Sequence, residues 1–559
     1  MRKKLSFCVV FSLFTIWNTS LFANQPANTT SDENRYSEIA KNLEIFTSLF
    51  RELNTYYVDD IDPNTAITDA IDGMLENLDP YTNYISSSDI DEYQFQTTGK
   101  YGGIGATISE IKGKVFIREP YEGSPAQKAG LQAGDEILEI DGKSADKKGS
   151  EDIRLLLRGQ PNTPVQIKVK RAVSGKILTF NFKREEINVG SVPYFGMLKG
   201  GVGYIKLDQF TDGCSKDVAN ALKTLKSKND LKGIVLDLRG NPGGLLNEAI
   251  NICNLFIDKG LEVVQTKGKI ESTNKKYETQ NKPMDTSTPL AILTDGGSAS
   301  ASEIVTGVMQ DYDRAVVVGQ RTFGKGLVQI TRPLPYKSSL KVTTYKYYIP
   351  SGRCIQAIDY SHRDEDGEAV TIPDSLRKVF YTKDGRPVKD GAGIEPDVKM
   401  EAEKIPMIAV ALFSKNLFFD YANIYKDAHP QIDTEQTFSL SEKDYQGFLD
   451  FIKDKDYDYT TKTEKMLNDL IKTAKKESYY DGIADALDTL EKNMKHDKNK
   501  DLIKYKEDIK SLLEGEIATR YQYQKGRILV NLKYDDEVDK AISILDNPAE
   551  YHKLLTVSK

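Results

Sequence analysis

The sequence predicts a multidomain α/β protein: a helical N-terminal segment, a small β-rich domain, a layered α/β core and a helical C-terminal region. Three observations carry that expectation. At 559 residues the chain exceeds what one ordinary core holds. Its texture changes near residues 95, 186 and 400, from helical periodicity to short β-runs, to alternating strands and helices, to helical patterns dense in Lys, Asp and Glu. Hydrophobic residues at 39% beside 28% charged ones fit a soluble globular chain rather than a disordered one.

Met1-Arg2-Lys3-Lys4, an apolar run from Leu5 to Trp17 and a small residue at Ala23 match a secretory signal peptide over residues 1–23. The run is shorter than the ~20 residues that span a bilayer. A buried first helix is the bland alternative. Leu21 is large for its place before the cut, so an uncleaved membrane anchor stays open beside export to the periplasm or envelope of a bacterium. Residues 24–95 form a helical region. Ile39, Leu43, Phe46, Phe50 and Leu53 recur at helical spacing, Asp62-Pro63 opens a second helix, and Asp79-Pro80 stops it.

Residues 96–186 hold five strand patterns: Ile104 to Ile108, Val115 to Arg118, Glu136 to Ile140, Val165 to Lys170 and Lys176 to Phe182. Ser124-Pro125-Ala126 through Gly130-Leu131 reads as a short helix, Asp141-Gly142 as a tight turn and Ile153 to Leu157 as a second helix. In residues 187–400 strands at Val202 to Leu207, Gly233 to Leu238, Leu290 to Thr294, Ala315 to Val318 and Leu340 to Ile349 alternate with helices. Those helices lie at Val218 to Leu225, Leu245 to Phe256 and Ala301 to Met309. Residues 401–559 read as a separate helical region, marked by Leu467, Leu470, Leu487, Leu490, Ile509 and Leu513.

A formal charge of −7 gives no reason to expect nucleic acid as a partner. The four cysteines, with Cys8 inside the signal, suit neither a disulfide framework nor a zinc site. The four histidines all lie away from the serine-rich stretch Ser298-Ala299-Ser300-Ala301-Ser302-Glu303, which weakens a Ser-His-Asp arrangement without excluding it.

That stretch carries the candidate chemistry. Ser300-x-x-Glu303 is a capping-box pattern, and by pattern alone Ser300 is an N-cap. The small residues from Gly296 to Ala301 shift the weight, because a nucleophile at a strand-to-helix junction needs small neighbours for a substrate to approach. The helix start offers backbone N–H groups to a developing oxyanion. A second turn, Gly240-Asn241-Pro242-Gly243-Gly244, offers Gly243 or Gly244 as a further donor; alone it is an ordinary strand-to-helix turn. A serine needs a base, and a lysine serves only when its pKa is pulled below ~10.4 by desolvation or nearby positive charge. Lys325 lies between Gly324 and Gly326, where a surface hairpin is the bland alternative. Asp311 falls 11 residues after Ser300, roughly 16 Å along one helix, which makes it structural rather than a triad partner.

Two resemblances follow. The run Ser124-Pro125-Ala126, Ala129-Gly130-Leu131, Gly134-Asp135-Glu136-Ile137-Leu138 and Asp141-Gly142 resembles a PDZ domain, which implies a groove where an extended peptide adds as a strand. Tyr101-Gly102-Gly103-Ile104-Gly105 stands where such domains receive a C-terminal carboxylate, since glycines let amides converge on an anion. Arg158 adds charge nearby, with a solvated arginine the simpler account.

The second resemblance rests on Leu78-Asp79-Pro80-Tyr81-Thr82, Asp237 to Gly244, Ser298 to Glu303, Gln310-Asp311-Tyr312 and Thr322-Phe323-Gly324-Lys325-Gly326. Gln329, Pro350-Ser351-Gly352-Arg353 and Gly393-Ile394-Glu395-Pro396-Asp397 extend it. Over roughly residues 35–400, with 25 residues from Ser300 to Lys325, the chain resembles the carboxyl-terminal processing peptidases (tail-specific proteases). The resemblance implies a crotonase/ClpP-like layered core and a serine endopeptidase with Ser300 as nucleophile, Lys325 as base and Gln329 orienting the lysine. It implies an oxyanion hole from Gly243 or Gly244 with Ala301, supporting places for Glu303 and Thr322, and no metal or cofactor. Substrates would be proteins with accessible C-termini, and the C-terminal region an adaptor-binding, oligomerising or substrate-enclosing element. A non-catalytic PDZ scaffold and an acyl-CoA-type hydrolase are the alternatives. An intact Ser300, Lys325 and Gln329 argues against the first, the fused peptide-binding module against the second.

Overall fold

A computed structural model of the chain describes residues 29–494 and 498–557, so the expected signal peptide lies outside the described residues. The chain divides into two units, residues 1–77 and 78–559. In the first, Thr29–Tyr56 and Pro63–Glu76 are helices. Asp62 caps the second, its carboxylate accepting the Asn64 N–H at 2.9 Å and the Thr65 hydroxyl at 3.0 Å, with Pro63 at the first helical position.

The second unit contains three sheets that matter for the site. The β-rich domain is antiparallel, in the order Ala106–Ile111, Lys114–Pro120, Glu136–Ile140, Pro164–Lys170, Ile177–Lys183. Its first strand starts two residues later than the sequence pattern indicates, because Gly105 turns the chain at φ 76°. Ala106–Ile111 is an edge strand of this sheet, and the helix Ser150–Leu157 packs beside it. Ile117, Ile137, Ile140, Ile153, Ile167 and Val169 fill the core.

The α/β core has a six-stranded sheet in the order Tyr194–Leu198, Val202–Lys206, Gly233–Asp237, Leu290–Thr294, Val316–Gly319, Val398–Lys399. The first pair is antiparallel and the rest are parallel. Every residue of Gly233–Asp237 and Leu290–Thr294 is buried, as parallel strands covered on both faces require. Alternation sends Ile205, Ile234, Leu236, Leu290 and Ile292 toward the helices Cys214–Lys226, Leu246–Phe256 and Ala301–Asp311. It sends Tyr204, Val235, Ala291, Leu293 and Val318 to the opposite face.

That opposite face is covered by the last two helices of the chain, Asp536–Leu545 and Pro548–Leu555. The Tyr551 hydroxyl takes the Leu290 N–H at 3.0 Å, which ties the final helix to the central strand. The sequence pattern treats everything beyond residue 400 as a separate helical region. The structure instead lends its end to the six-stranded sheet. The rest of that region packs around Phe418, Tyr421, Phe448, Ile509, Leu513 and Ile517. It meets the β-rich domain through Arg118 and Glu516 at 2.9 Å, and through Arg527 and Glu119 at 3.0 Å.

The third sheet runs Asn83–Ile85, Ser339–Tyr348, Glu262–Gly268, Lys275–Glu278, with Leu327–Pro333 also paired to Ser339–Tyr348. Only Ser339–Tyr348 has a clear sequence signal; its partners are short and half polar, and register comes from the pairing itself.

Since Leu545 packs on Gly233 at the sheet, Leu545→Ala is expected to lower unfolding free energy by about 2–4 kcal/mol in a urea titration. A loss below about 0.5 kcal/mol would mean that the terminal helices are not part of this core.

Candidate active site

The strand Leu290–Thr294 leads into the turn that carries three serine hydroxyls. Two of them hold the backbone. Ser298 Oγ donates to the Leu238 carbonyl at 2.9 Å, and Ser302 Oγ donates to the Asn241 carbonyl at 2.9 Å. Ser300 stands as N-cap of Ala301–Asp311 at φ 56°, ψ −111°, a backbone region that a non-glycine residue enters only under constraint. It lines a cleft of about 340 Å³ with Gly243, Gly244, Ala301, Lys325, Gln329, Lys341 and Tyr347.

The glycine turn fits against the serine turn closely. A Cβ on Gly243 would lie 2.6 Å from the Ala299 carbonyl and 2.9 Å from the Ala301 nitrogen, so only glycine permits the approach. Asn241, fully buried, joins the two turns: its carbonyl accepts the Ala299 N–H at 3.0 Å, and its side chain donates to the Leu207 carbonyl at 2.8 Å. Asn241 Oδ1 also accepts the Gly243 N–H at 2.9 Å. The Gly243 amide is therefore engaged within its own turn, and Gly243, Gly244 and Ala301 all line the cleft.

Glu303 is the hub between this turn and the lysine loop. Its fully buried carboxylate accepts the Ser300 N–H at 2.8 Å, the Thr322 hydroxyl at 2.6 Å, the Gly324 N–H at 2.7 Å and the Lys325 N–H at 2.9 Å. Burial pushes its pKa up to about 7, against the pull of those four donors. Thr322 is thus placed by its hydroxyl, which also accepts the Ile394 N–H at 2.7 Å. Tyr347 adds a second link, donating to the Lys325 carbonyl at 2.7 Å and reaching the Ser300 carbonyl at 3.2 Å.

Lys325 is largely buried, and burial lowers its pKa to about 8. Lys341, in the same cleft, pushes in the same direction, while Asp79 and Glu303 oppose it. Its ammonium lies 4.0 Å from the centre of the Tyr81 ring. Gln329, four residues on, donates through Nε2 to the Thr343 hydroxyl at 3.0 Å.

Asp311 sits at the far end of the helix, where it accepts the Arg353 guanidinium at 2.8 Å and the Ser351 N–H at 2.9 Å. Gln310, Arg386 and Asp397 complete that buried polar cluster. It joins the Gln310-Asp311, Pro350-to-Arg353 and Gly393-to-Asp397 motifs away from the reacting groups. No described histidine lines the Ser300 cleft. His362 pairs with Asp359 on the surface, His429 stacks on Tyr425, and His552 lies on the terminal helix.

In the β-rich domain, Lys100–Gly103 pairs with Glu185–Asn188, and Ile104 and Gly105 turn toward the edge strand. Burial raises the Tyr101 phenol pKa, the nearby Gly105 and Ala106 amides oppose that rise, and its ring lies over Gly103. Arg158 pairs with Glu92 at 2.8 Å and its guanidinium lies 5.2 Å from the Tyr101 ring centre. It is a half-enclosed tie to the helix Ile90–Thr98 rather than a solvated arginine.

Sequence reasoning missed Asn241, Lys341 and Tyr347. The asparagine within a glycine turn was the one local signal. The two strand residues look like any alternating pair. With Glu303→Gln, an amide NH₂ would face donors, so hydrogen exchange at the Gly324 and Lys325 amides is expected to speed up by at least tenfold. Unchanged exchange would remove Glu303 as the hub.

Comparison with known proteins follows this geometry. The family models described as "Peptidase family S41", "PDZ domain" and "Probable PDZ-protease, C-terminal helical domain" match residues 201–362, 116–171 and 408–545. A solved structure, the photosystem II D1 C-terminal processing protease, is 27% identical, with 64% of this chain and 87% of that one covered at a TM-score of 0.34. A "Probable CtpA-like serine protease" of Staphylococcus aureus is 40% identical over 56% of this chain and 62% of its own length. The "Carboxy-terminal-processing protease" of Bartonella bacilliformis is 37% identical over 60% of this chain and 76% of its own length. With that likeness, and with the peptidase model lying over both the Ser300 turn and the Lys325 loop, the chain belongs to peptidase family S41, among the carboxy-terminal-processing proteases.

Proposed function

We propose that Ser300 is the nucleophile and Lys325 the general base of a serine endopeptidase that reads substrate C-termini through residues 96–186. The observation that carries this is a single cleft holding both groups, their loops clamped on one carboxylate, with the lysine held near a working pKa. Neutral Lys325 takes the Ser300 proton as Oγ attacks the scissile carbonyl. The tetrahedral oxyanion faces the Ala301 amide at the helix start and the Gly244 amide of the glycine turn, since the Gly243 amide is engaged by Asn241. The ammonium of Lys325 then returns the proton to the leaving amine, and a water repeats the sequence on the acyl-enzyme. Gln329 keeps Oε1 for the lysine while its amide nitrogen is anchored on Thr343.

Peptide reading follows from the open edge of Ala106–Ile111, to which an extended tail adds as a further strand. Its carboxylate is received by the glycine-rich turn beside Tyr101, where Gly102, Gly103, Ile104 and Gly105 lead into the edge strand. The signal-like N-terminus supports an exported enzyme of the bacterial envelope, with proteins bearing accessible C-termini as substrates. Residues 401–535 are the surface for an adaptor or a second copy.

An unstructured polypeptide with an apolar C-terminus is expected to be cut by the parent and not by Ser300→Ala or Lys325→Ala. Equal cutting by Lys325→Ala would sink the dyad, and cutting by neither parent nor variants would leave the scaffold. Amidating the substrate C-terminus is expected to slow cleavage at least tenfold; equal rates would remove the tail-reading step.

Because the base works deprotonated, kcat/KM should rise with pH through a midpoint near 8, and Glu303 should already be ionised there. Lys341→Met removes a like charge, so the Lys325 pKa and the midpoint should both move up. A midpoint that stays in place would exclude Lys341 as the tuning charge.

A further inference from the structure

Residues Leu78-Asp79-Pro80-Tyr81-Thr82 lie more than 200 residues before the serine, at the start of the second unit, and neither the dyad nor the peptide groove uses them. The structure brings them to the base. The Tyr81 ring face lies 4.0 Å from Lys325 Nζ. Among the described residues no hydrogen bond joins that nitrogen to Ser300, and the Tyr81 ring lies against it.

The ring is held rigidly. Asp79 Oδ1 accepts the Tyr81 N–H at 2.9 Å and the Thr82 N–H at 3.0 Å, and Oδ2 takes the Thr82 hydroxyl at 3.0 Å. The Thr343 hydroxyl donates to Asp79 at 3.1 Å, and the Thr343 N–H donates to the Thr82 hydroxyl oxygen at 3.1 Å. Gln329 donates to that same Thr343 hydroxyl, so the turn and the residue orienting the lysine share one anchor. The next three residues, Asn83–Ile85, pair with Ser339–Tyr348, with Asn83 opposite Lys341. On its other side Tyr81 meets Tyr360 edge to face at 6.0 Å, the hydroxyls 3.4 Å apart.

We propose that Tyr81 is a positioning residue for catalysis: its ring face holds Lys325 beside Ser300 and stabilises the ammonium that forms when the serine proton is taken. The phenol itself is not the acting group, because burial and Tyr360 hold its proton on well above the usual tyrosine range. A quadrupole suits the task better than a carboxylate would. It stabilises a cation that appears during the reaction, yet it does not fix the lysine in its charged form as a full ion pair does. Around Lys325 the charges otherwise divide: Lys341 disfavours the ammonium, and Asp79 and Glu303 favour it. The Tyr347 hydroxyl engages the lysine's backbone carbonyl rather than its side chain.

The inference rests on Lys325 being the base, and Lys325→Ala is run alongside so that the two ideas fail separately. The measurement is the pH profile of kcat/KM on the unstructured substrate for the parent, Tyr81→Phe and Tyr81→Leu. Tyr81→Phe keeps the ring and should stay within about threefold of the parent with the same acid limb. Tyr81→Leu should lose about tenfold or more, and its acid limb should move to lower pH, because the ammonium loses its stabilising face. If Tyr81→Leu fails to fold, phenylalanines carrying one to three ring fluorines at this position keep the shape while draining the face, and the limb should step down with each fluorine. An unmoved limb in Tyr81→Leu or along the fluorine series overturns the proposal. So does a Tyr81→Phe loss as large as that of Tyr81→Leu, which would assign the effect to the hydroxyl. A Lys325→Ala variant that still cuts overturns the dyad instead.

Discussion

The buried carboxylate of Glu303 is the constraint on which the site depends. Ser300 on one turn and Lys325 on another, 25 residues apart, share a cleft only if both backbones are fixed relative to each other. Glu303 does this by accepting from Ser300, Thr322, Gly324 and Lys325 together. Its burial is tolerated because all four partners are donors, and hydrogen bonds to a charged acceptor are stronger than neutral ones. The same carboxylate favours the charged form of Lys325. Desolvation of Lys325 and the charge of Lys341 restore the balance.

The arrangement needs a rigid platform beneath it. Parallel strands buried on both faces set the positions of the turns after Asp237 and Thr294, and the glycine and serine turns meet at those adjacent C-terminal ends. At the far end of Ala301–Asp311, Asp311, Gln310, Arg353 and Asp397 lock the helix against the loops that follow. The other side of the sheet is closed by helices from the end of the chain. The catalytic layer is therefore complete only when residue 555 has been made, which couples the C-terminal region to the site through packing rather than through any reacting group.

Much of this was legible from local pattern. The apolar strands around Val235 and Ile292 announce themselves because burial on both faces leaves no polar alternation, and Ser124-Pro125 and Asp62-Pro63 mark helix starts through their own backbone chemistry. The partly polar strands Leu327–Pro333 and Glu262–Gly268 had no such mark, since half-buried strands carry mixed sequence and acquire order from their neighbours. The glycine turn offers Gly243 or Gly244 as a donor without distinguishing them, and only the tertiary structure shows the Asn241 side chain accepting the Gly243 N–H. Arg158 looked solvated because Glu92 lies 66 residues earlier.

By itself the sequence determined the family, the order of the domains and the candidacy of Ser300 and Lys325, because ordered motifs and covalent spacing survive without coordinates. The tertiary structure tells the three hydroxyls apart, since Ser298 and Ser302 are bound to carbonyls about 60 residues away in sequence while Ser300 lines the cleft. It also decided what lowers the Lys325 pKa and what lies against it. Desolvation, the nearness of Lys341 and the Tyr81 ring belong to contacts between distant segments, and no local pattern encodes a contact of that kind.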